Sequence, residues 1–258
     1  METALFKSII FGPIKSRRLG ISLGVNLLPT DSKLCNFDCV YCECGWTDLK
    51  SFPKIKFFEP ETIKTALKEK LEELSKNKIE INSITFAGNG EPTMHPMFHQ
   101  IIDNTIELRN KYYPNCKISV LSNSMMLNNP KVVSALKKID NRILKLDAGT
   151  EKMFQQINQP LNSRTLSWVV EQLKKFETDL TIQTLLIKGS HNGAIIDNTT
   201  DEEIDNWLTI LKEIKPKEVM LYCIDRPTPE ENLEKIDSKK VDEIANKVKA
   251  LGIKVNVW

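Results

Sequence analysis

From residue 82 to the end, short apolar runs alternate with amphipathic helical stretches, and no other feature narrows the fold so far. NSITFAGNGEP (82–92), KISVLSNS (117–124), RILKLDA (142–148), LTIQTLLIKG (180–189), EVMLYCID (218–225) and IKVNVW (253–258) each read as a strand. Helical patterns cover 97–111, 130–138, 163–177, 201–214 and 238–250 between them. An earlier helix places Ile63, Leu67, Leu71 and Leu74 on one face, with Pro60 and Asn77 as its boundaries. Residues 43–60, with Pro53 and Pro60, read as irregular. Strands that alternate with helices pair in parallel through crossover helices. With VNLLP (25–29) as the first barrel strand, the pattern predicts six βα units and one closing strand. Residues 5–29 carry two short β-rich runs, SIIFGPI and LGISLGVNLLP, joined by a turn, so a β extension over about 1–24 precedes the barrel. No linker-like composition divides the 258 residues, and a single domain is expected. The glycine fingerprint of a dinucleotide-binding fold is missing, which counts against a doubly wound sheet.

Three of the six cysteines sit in one loop, CNFDCVYC, as Cys35, Cys39 and Cys42. Thiolates favour zinc or iron–sulfur clusters over hard cations. A cubane that only carries electrons takes four cysteines; this loop supplies three and leaves one iron open to a small molecule. A structural zinc knuckle completed by Cys44 is the plain alternative. Cys116 and Cys223 fall at or within strands, where buried inert cysteine is common; a second cluster from Cys44, Cys116 and Cys223 is the other arrangement to consider. Such clustering is no disulfide framework and suits a reducing compartment. The net charge of +2 neither demands nor excludes nucleic acid. No apolar run is long enough to span a bilayer. The start, METALFKSIIFGPIK, lacks a signal-peptide pattern, so a cytoplasmic location without a membrane partner is expected.

With Tyr41 just before Cys42, the loop resembles the C-x3-C-x-aromatic-C signature of the radical S-adenosylmethionine (SAM) enzymes. The resemblance implies a [4Fe-4S] cluster on Cys35, Cys39 and Cys42, with SAM chelating the open iron. It implies reductive cleavage of SAM to a 5′-deoxyadenosyl radical that abstracts hydrogen from a substrate. It also implies a partial (βα)6 barrel, here with a closing C-terminal strand and an N-terminal β-hairpin, and a flavodoxin or ferredoxin as electron donor. Gly88-Asn89-Gly90-Glu91-Pro92 resembles the family's GGEP motif, with Asn89 where the first glycine is usual, and implies backbone contacts to the SAM amino group. The longer strings FGPIKSRRLGISLGVNLLPT, CNFDCVYCECGW and GNGEPTMHP resemble the branch related to the wyosine-tRNA synthesis enzyme, with weaker similarity through KLDA and IDRPTP. That kinship implies tRNA as substrate. The wyosine enzymes usually carry further cysteines ahead of the motif, whereas no cysteine precedes Cys35 here.

In α/β barrels the working groups collect at the carboxyl ends of strands. Asn123, in Ser122-Asn123-Ser124, reads as a polar contact to SAM or as a turn. Lys145 and Asp147 share one strand face, and both are costly in a lumen unless paired or bound to ligand. Asp147 suits ribose hydroxyls and Lys145 a carboxylate; a mutual salt bridge can coexist. Gln183 is a further polar lining group. Arg17 and Arg18, in KSRR with Lys15, read as a solvated turn or as an anion clamp beside the cluster loop. Asp225 and Arg226 end the sixth strand, as substrate contacts or as an ordinary surface loop. Trp46 reads as a shield for the cluster loop or as core. His95 and His99 read as surface or capping residues, and no acid or base is assigned. The competing readings are an enzyme that activates or modifies a protein or peptide, and a non-catalytic metal or electron-transfer module. A peptide modifier would carry a cysteine-rich carboxyl-terminal extension, which is missing here.

Overall fold

The computed structural model describes residues 5–50, 52 and 56–258. Pro53 of the irregular stretch, and the first four residues of the stretch read for a leader, lie outside them. Strands β1 (Ile10–Ser16) and β2 (Gly20–Val25) form an antiparallel hairpin. Next in the sheet come β3 (Ser83–Phe86), β4 (Lys117–Ser122), β5 (Asn141–Lys145) and β6 (Thr181–His191). Strand β7 (Ala194–Asp197) turns back on β6, and β8 (Glu218–Cys223), β9 (Leu233–Lys235) and β10 (Lys254–Val257) follow. The sheet order is β1-β2-β3-β4-β5-β6-β8-β10, and every neighbour pair from β2 onward is parallel. Six crossovers and a closing strand result, as the alternation predicts.

The first barrel strand is β2, not residues 25–29, which share only Val25 with it. Leu23 and Val25 are buried, while Ser22 and Gly24 line the interior cavity. Asn26 then stops the strand by folding onto Leu28: its Oδ1 accepts from Leu28 N at 3.3 Å and its Nδ2 donates to Leu28 O at 3.0 Å. The extension is therefore β1 alone, because β2 serves both hairpin and barrel.

The helices are α1 (Pro60–Lys76), α2 (Phe98–Tyr112), α3 (Pro130–Lys138), α4 (Glu151–Asn158), α5 (Leu166–Leu173), α6 (Asp201–Ile214) and α7 (Ser238–Ala250). Helix α4 is an addition to the expected set; the Thr150 hydroxyl caps it by accepting from Met153 N at 3.2 Å. The helix expected over 163–177 begins one residue after its cap, Thr165, and ends in a 3₁₀ turn, Lys174–Phe176. Strand β6 runs past residue 189 because Asn192 and Gly193, at φ 50° and 76°, form a two-residue hairpin to β7. Among the described residues no helix is long and apolar enough to cross a membrane.

Outward-facing Ile84, Phe86, Ile118 and Val120 are buried in one hydrophobic cluster with Ile63, Leu67, Leu71 and Leu74 of α1. The other face of these strands carries hydroxyls that satisfy one another across the sheet. Ser22 bonds Thr85 at 2.7 Å, Thr85 bonds Ser83 at 2.9 Å, Ser83 bonds Ser119 at 2.8 Å, and Asn141 donates to Ser119 at 3.0 Å. These hydroxyls of β2, β3 and β4 are thus satisfied without ion pairs. Leu71 is fully buried; Leu71→Ala is expected to cost about 2–5 kcal/mol, read as a lowered urea midpoint with an unchanged slope.

Candidate active site

The cysteine loop is fastened on two sides. On one side Leu34 pairs with Gly90: Leu34 N donates to Asn89 O at 2.8 Å, and Glu91 N donates to Leu34 O at 3.0 Å. Gly90 has φ 135°, and a Cβ there would stand 1.8 Å from Leu34 O. No other residue admits this approach. On the other side Asp38 N donates to Asn158 O and Val40 N to Ile157 O, both at 3.0 Å, and Leu161 N donates to Asn36 O at 3.0 Å. Phe37 packs edge-on against Phe154, with centroids 5.6 Å apart. These partners lie in α4 and the turn after it, so the unexpected helix is the brace of the loop.

Cys35 and Cys39 are buried and Cys42 is half-buried. Nitrogen donors face two of the sulfurs. Phe37 N and Asn123 Nδ2 approach Cys35 Sγ at 3.4 and 3.5 Å, and Asn158 Nδ2 approaches Cys39 Sγ at 3.5 Å. Beneath them lies Lys33, 4% exposed, whose ammonium donates to Asp38 at 3.0 Å and to Gly45 O at 2.8 Å. Burial works against that charge, but Cys42, Cys35, Cys39 and Asp38 outweigh it and raise the Lys33 pKa. Burial pushes the thiols of Cys35 and Cys39 up. Cys42 is drawn down to about 6 by the Cys44 thiol, with burial opposing and Lys33 assisting. N–H donors at sulfur and a buried cation are what a thiolate-held cluster needs, and the residues fit one. The zinc knuckle would draw on the same cysteine loop, so zinc against iron content is what separates it from the cluster. The second cluster is overturned. Cys116 sits at the amino end of β4, Cys44 beyond the carboxyl end of β2, and the barrel lies between them.

The Tyr41 hydroxyl donates to Asp147 and accepts from Lys145, tying the loop to β5. Lys145 Nζ lies 3.4 Å from the same carboxylate, so the shared face and the salt bridge are both present. Asp147 also accepts from Asn158 Nδ2 and Leu185 N, each at 2.9 Å, and its side chain is fully buried. Burial and Asp147 push the Tyr41 hydroxyl well up. Lys145 is also raised, burial opposing and Asp147 prevailing.

The carboxylate expected at ribose is thus enclosed by protein donors. Asn89 is similar: it donates to Pro29 O at 2.7 Å and Phe6 O at 2.9 Å, and accepts from Phe6 N at 2.8 Å. Glu91 accepts from Ser122 Oγ at 2.9 Å, Asn123 N at 2.6 Å, Thr93 N at 3.0 Å and the Thr93 hydroxyl. Burial raises the Glu91 pKa, and these bonds oppose the rise. The side chains of Asn89, Glu91 and Asp147 brace the site because buried acceptors take the nearest donors; from the glycine motif, Gly88 reaches the cavity wall.

That cavity holds about 620 Å³, and Tyr41, Cys42, Cys44, Gly88, Thr85 and Tyr222 are among its walls. Arg17, Arg18, Asp225 and Arg226 all reach it: Arg17 pairs with Asp225 at 3.2 Å and Arg226 with Glu43 at 2.8 Å. Gln183 sits behind Arg18, accepting from it at 3.2 Å, rather than at the wall. Trp46 is neither core nor a close shield; it is 42% exposed, with its ring 5.4 Å from His191. His95 is buried beside Phe58 O at 2.9 Å, and burial lowers its pKa.

Sequence reasoning missed Asn26, Lys33, Glu43, Asn158 and Tyr222. Lys33, a cation two residues ahead of the first cysteine, is visible in the sequence. Asn158 lies 119 residues from the sulfur it serves and carried no local signal.

The family model of the Radical SAM superfamily matches residues 31–209. The chain belongs to the Radical SAM superfamily. Membership implies a [4Fe-4S] cluster and SAM. Among curated relatives, a UPF0026 protein of Methanocaldococcus jannaschii is 30% identical over 258 residues, covering 95% of this chain and 75% of that one. Among solved structures, a radical SAM methyltransferase from Sphaerobacter thermophilus superposes with TM-score 0.66 at 13% identity, covering 92% of this chain and 65% of that one. Archaeal TYW1 does so with TM-score 0.51 at 14% identity, over 89% of this chain and 71% of that one. Both are likenesses of fold, and they match the partial barrel.

Gly90→Ala is expected to part the loop from β3, lowering both iron content after anaerobic reconstitution and thermal stability. Iron loading equal to the parent protein would show that the anchors on α4 hold the loop by themselves.

Proposed function

We propose that this radical SAM protein holds a [4Fe-4S] cluster on Cys35, Cys39 and Cys42, cleaves SAM reductively, and abstracts hydrogen from an organic substrate in the adjoining cavity. One observation carries the reading: in the loop beyond the carboxyl end of β2, Cys35 and Cys39 face N–H donors, and Cys42 opens onto a cavity of about 620 Å³. When bound, the cluster and SAM supply the electron and the 5′-deoxyadenosyl radical. The protein's own residues do the rest. Lys33 balances the negative charge of the thiolates. Asn123 and Asn158 orient the sulfurs of Cys35 and Cys39. Tyr41, in the cavity wall, is held by Lys145 and Asp147, which tie the cysteine loop to the end of β5. Gly88, where a side chain would strike Asn26, presents bare backbone in that wall. A small flavodoxin or ferredoxin is the proposed electron donor, and the cytoplasm the proposed compartment.

The string likeness to the wyosine branch supports a nucleoside in tRNA as the substrate. Phosphate-dominated binding weakens steeply as salt rises. A tRNA complex present at about 50 mM salt and largely lost by about 200 mM is therefore expected in filter binding; no complex at low salt would exclude tRNA.

Protein purified without oxygen is expected to carry about four iron and four sulfide per chain and to form 5′-deoxyadenosine from SAM plus reductant. Cys39→Ala should lose both. Zinc without iron would overturn the reading, and cleavage retained in Cys39→Ala would remove that residue as a ligand.

A further inference from the structure

The cavity wall carries more positive than negative groups. Lys15, Arg17, Arg18 and Arg226 line it, against the carboxylates of Glu43 and Asp225. Both carboxylates are engaged, Asp225 by Arg17 at 3.2 Å and Glu43 by Arg226 at 2.8 Å. Among the described residues Arg18 has no carboxylate partner. Its guanidinium lies over the Tyr222 ring, 4.7 Å from the centroid, and spends one N–H on Gln183 at 3.2 Å. A guanidinium has five donors in a fixed fork, so most of its hydrogen-bonding capacity points elsewhere. Arg18 is half-buried in a cavity wall, where an unneutralised charge is costly. Stacking on Tyr222 and the bond to Gln183 hold the fork in place before any ligand arrives, which lowers the entropy lost on binding.

We propose that Arg18 is the anion anchor of the substrate site, and that the substrate carries a carboxylate or a phosphate which it grips bidentately. This rests on the reading of the cavity as the place where substrate meets SAM. Carboxylic acids and phosphate esters share this chemistry, and SAM brings a carboxylate of its own. Among the other cations, Lys145 is already paired with Asp147 at 3.4 Å, and Lys15 is exposed and has no fork. Arg17 and Arg226 are exposed and paired, so neither offers an unengaged fork.

The test is calorimetric titration of cluster-loaded protein, kept anaerobic, with sodium malonate and with inorganic phosphate at constant ionic strength. One saturable site for at least one of these probes is expected. Tighter malonate binding would point to a carboxylic acid, and tighter phosphate binding to a phosphate ester. Arg18→Gln should weaken the preferred probe at least ten-fold, and Arg18→Lys less, because the charge stays while the fork is lost. Saturating SAM should leave the probe's affinity within two-fold. In unaltered protein the bound probe should also protect Arg18 from phenylglyoxal, read by peptide mapping, which needs no variant to fold. Binding of neither anion, unchanged affinity in Arg18→Gln, absence of protection, or displacement of the probe by SAM would each overturn the proposal. SAM cleavage is measured separately, so an inactive protein that still binds malonate through Arg18 would count against the catalytic reading and not against the anchor.

Discussion

The cysteine loop is hung on the sheet by two backbone hydrogen bonds between Leu34 and the turn over Asn89–Glu91. They extend the β2–β3 pairing just past the strand ends and carry the cysteine loop across the mouth of the barrel. The contact tolerates no side chain at Gly90. The motif's other side chains serve the same contact: Asn89 clips Phe6 and Pro29, and Glu91 gathers the end of β4. A stretch that reads in sequence as a cofactor contact also pins the loop in place.

Charge at the site is sorted by depth. Lys33 and the three thiols lie at the bottom of the loop, where burial makes each group costly unless the other is present. Tyr41, Lys145 and Asp147 form a closed circuit one layer over, tied to α4 through Asn158. Only at the rim do arginines meet solvent.

How much of this was legible depended on how local the signal was. The helix face of Ile63, Leu67, Leu71 and Leu74 follows from spacing alone, and so does the common face of Lys145 and Asp147. The alternation of strand and helix gives the six βα units, and the family resemblance carried by the cysteine spacing implies the partial barrel. Helix α4 escaped because its eight residues carry few apolar positions, and its purpose emerges only where Asn158 and Ile157 meet a loop over a hundred residues away. The Asn192-Gly193 turn carried a short-range hairpin signal that periodicity obscured. Which polar side chain faces a cavity and which is consumed by protein donors, as Asn89 and Asp147 are, is decided by tertiary partners that no window of sequence contains.

The two ion pairs at the rim join segments remote in the chain: the β1–β2 turn to the end of β8, and that end to the cysteine loop. All four side chains are well exposed, between 44% and 66%, and such pairs contribute only about 0–1 kcal/mol each and fade with salt. The entrance is therefore latched by its weakest contacts, while the loop behind it is bolted by its strongest. A visitor can unfasten the doorway at small cost, leaving the buried cysteine loop undisturbed.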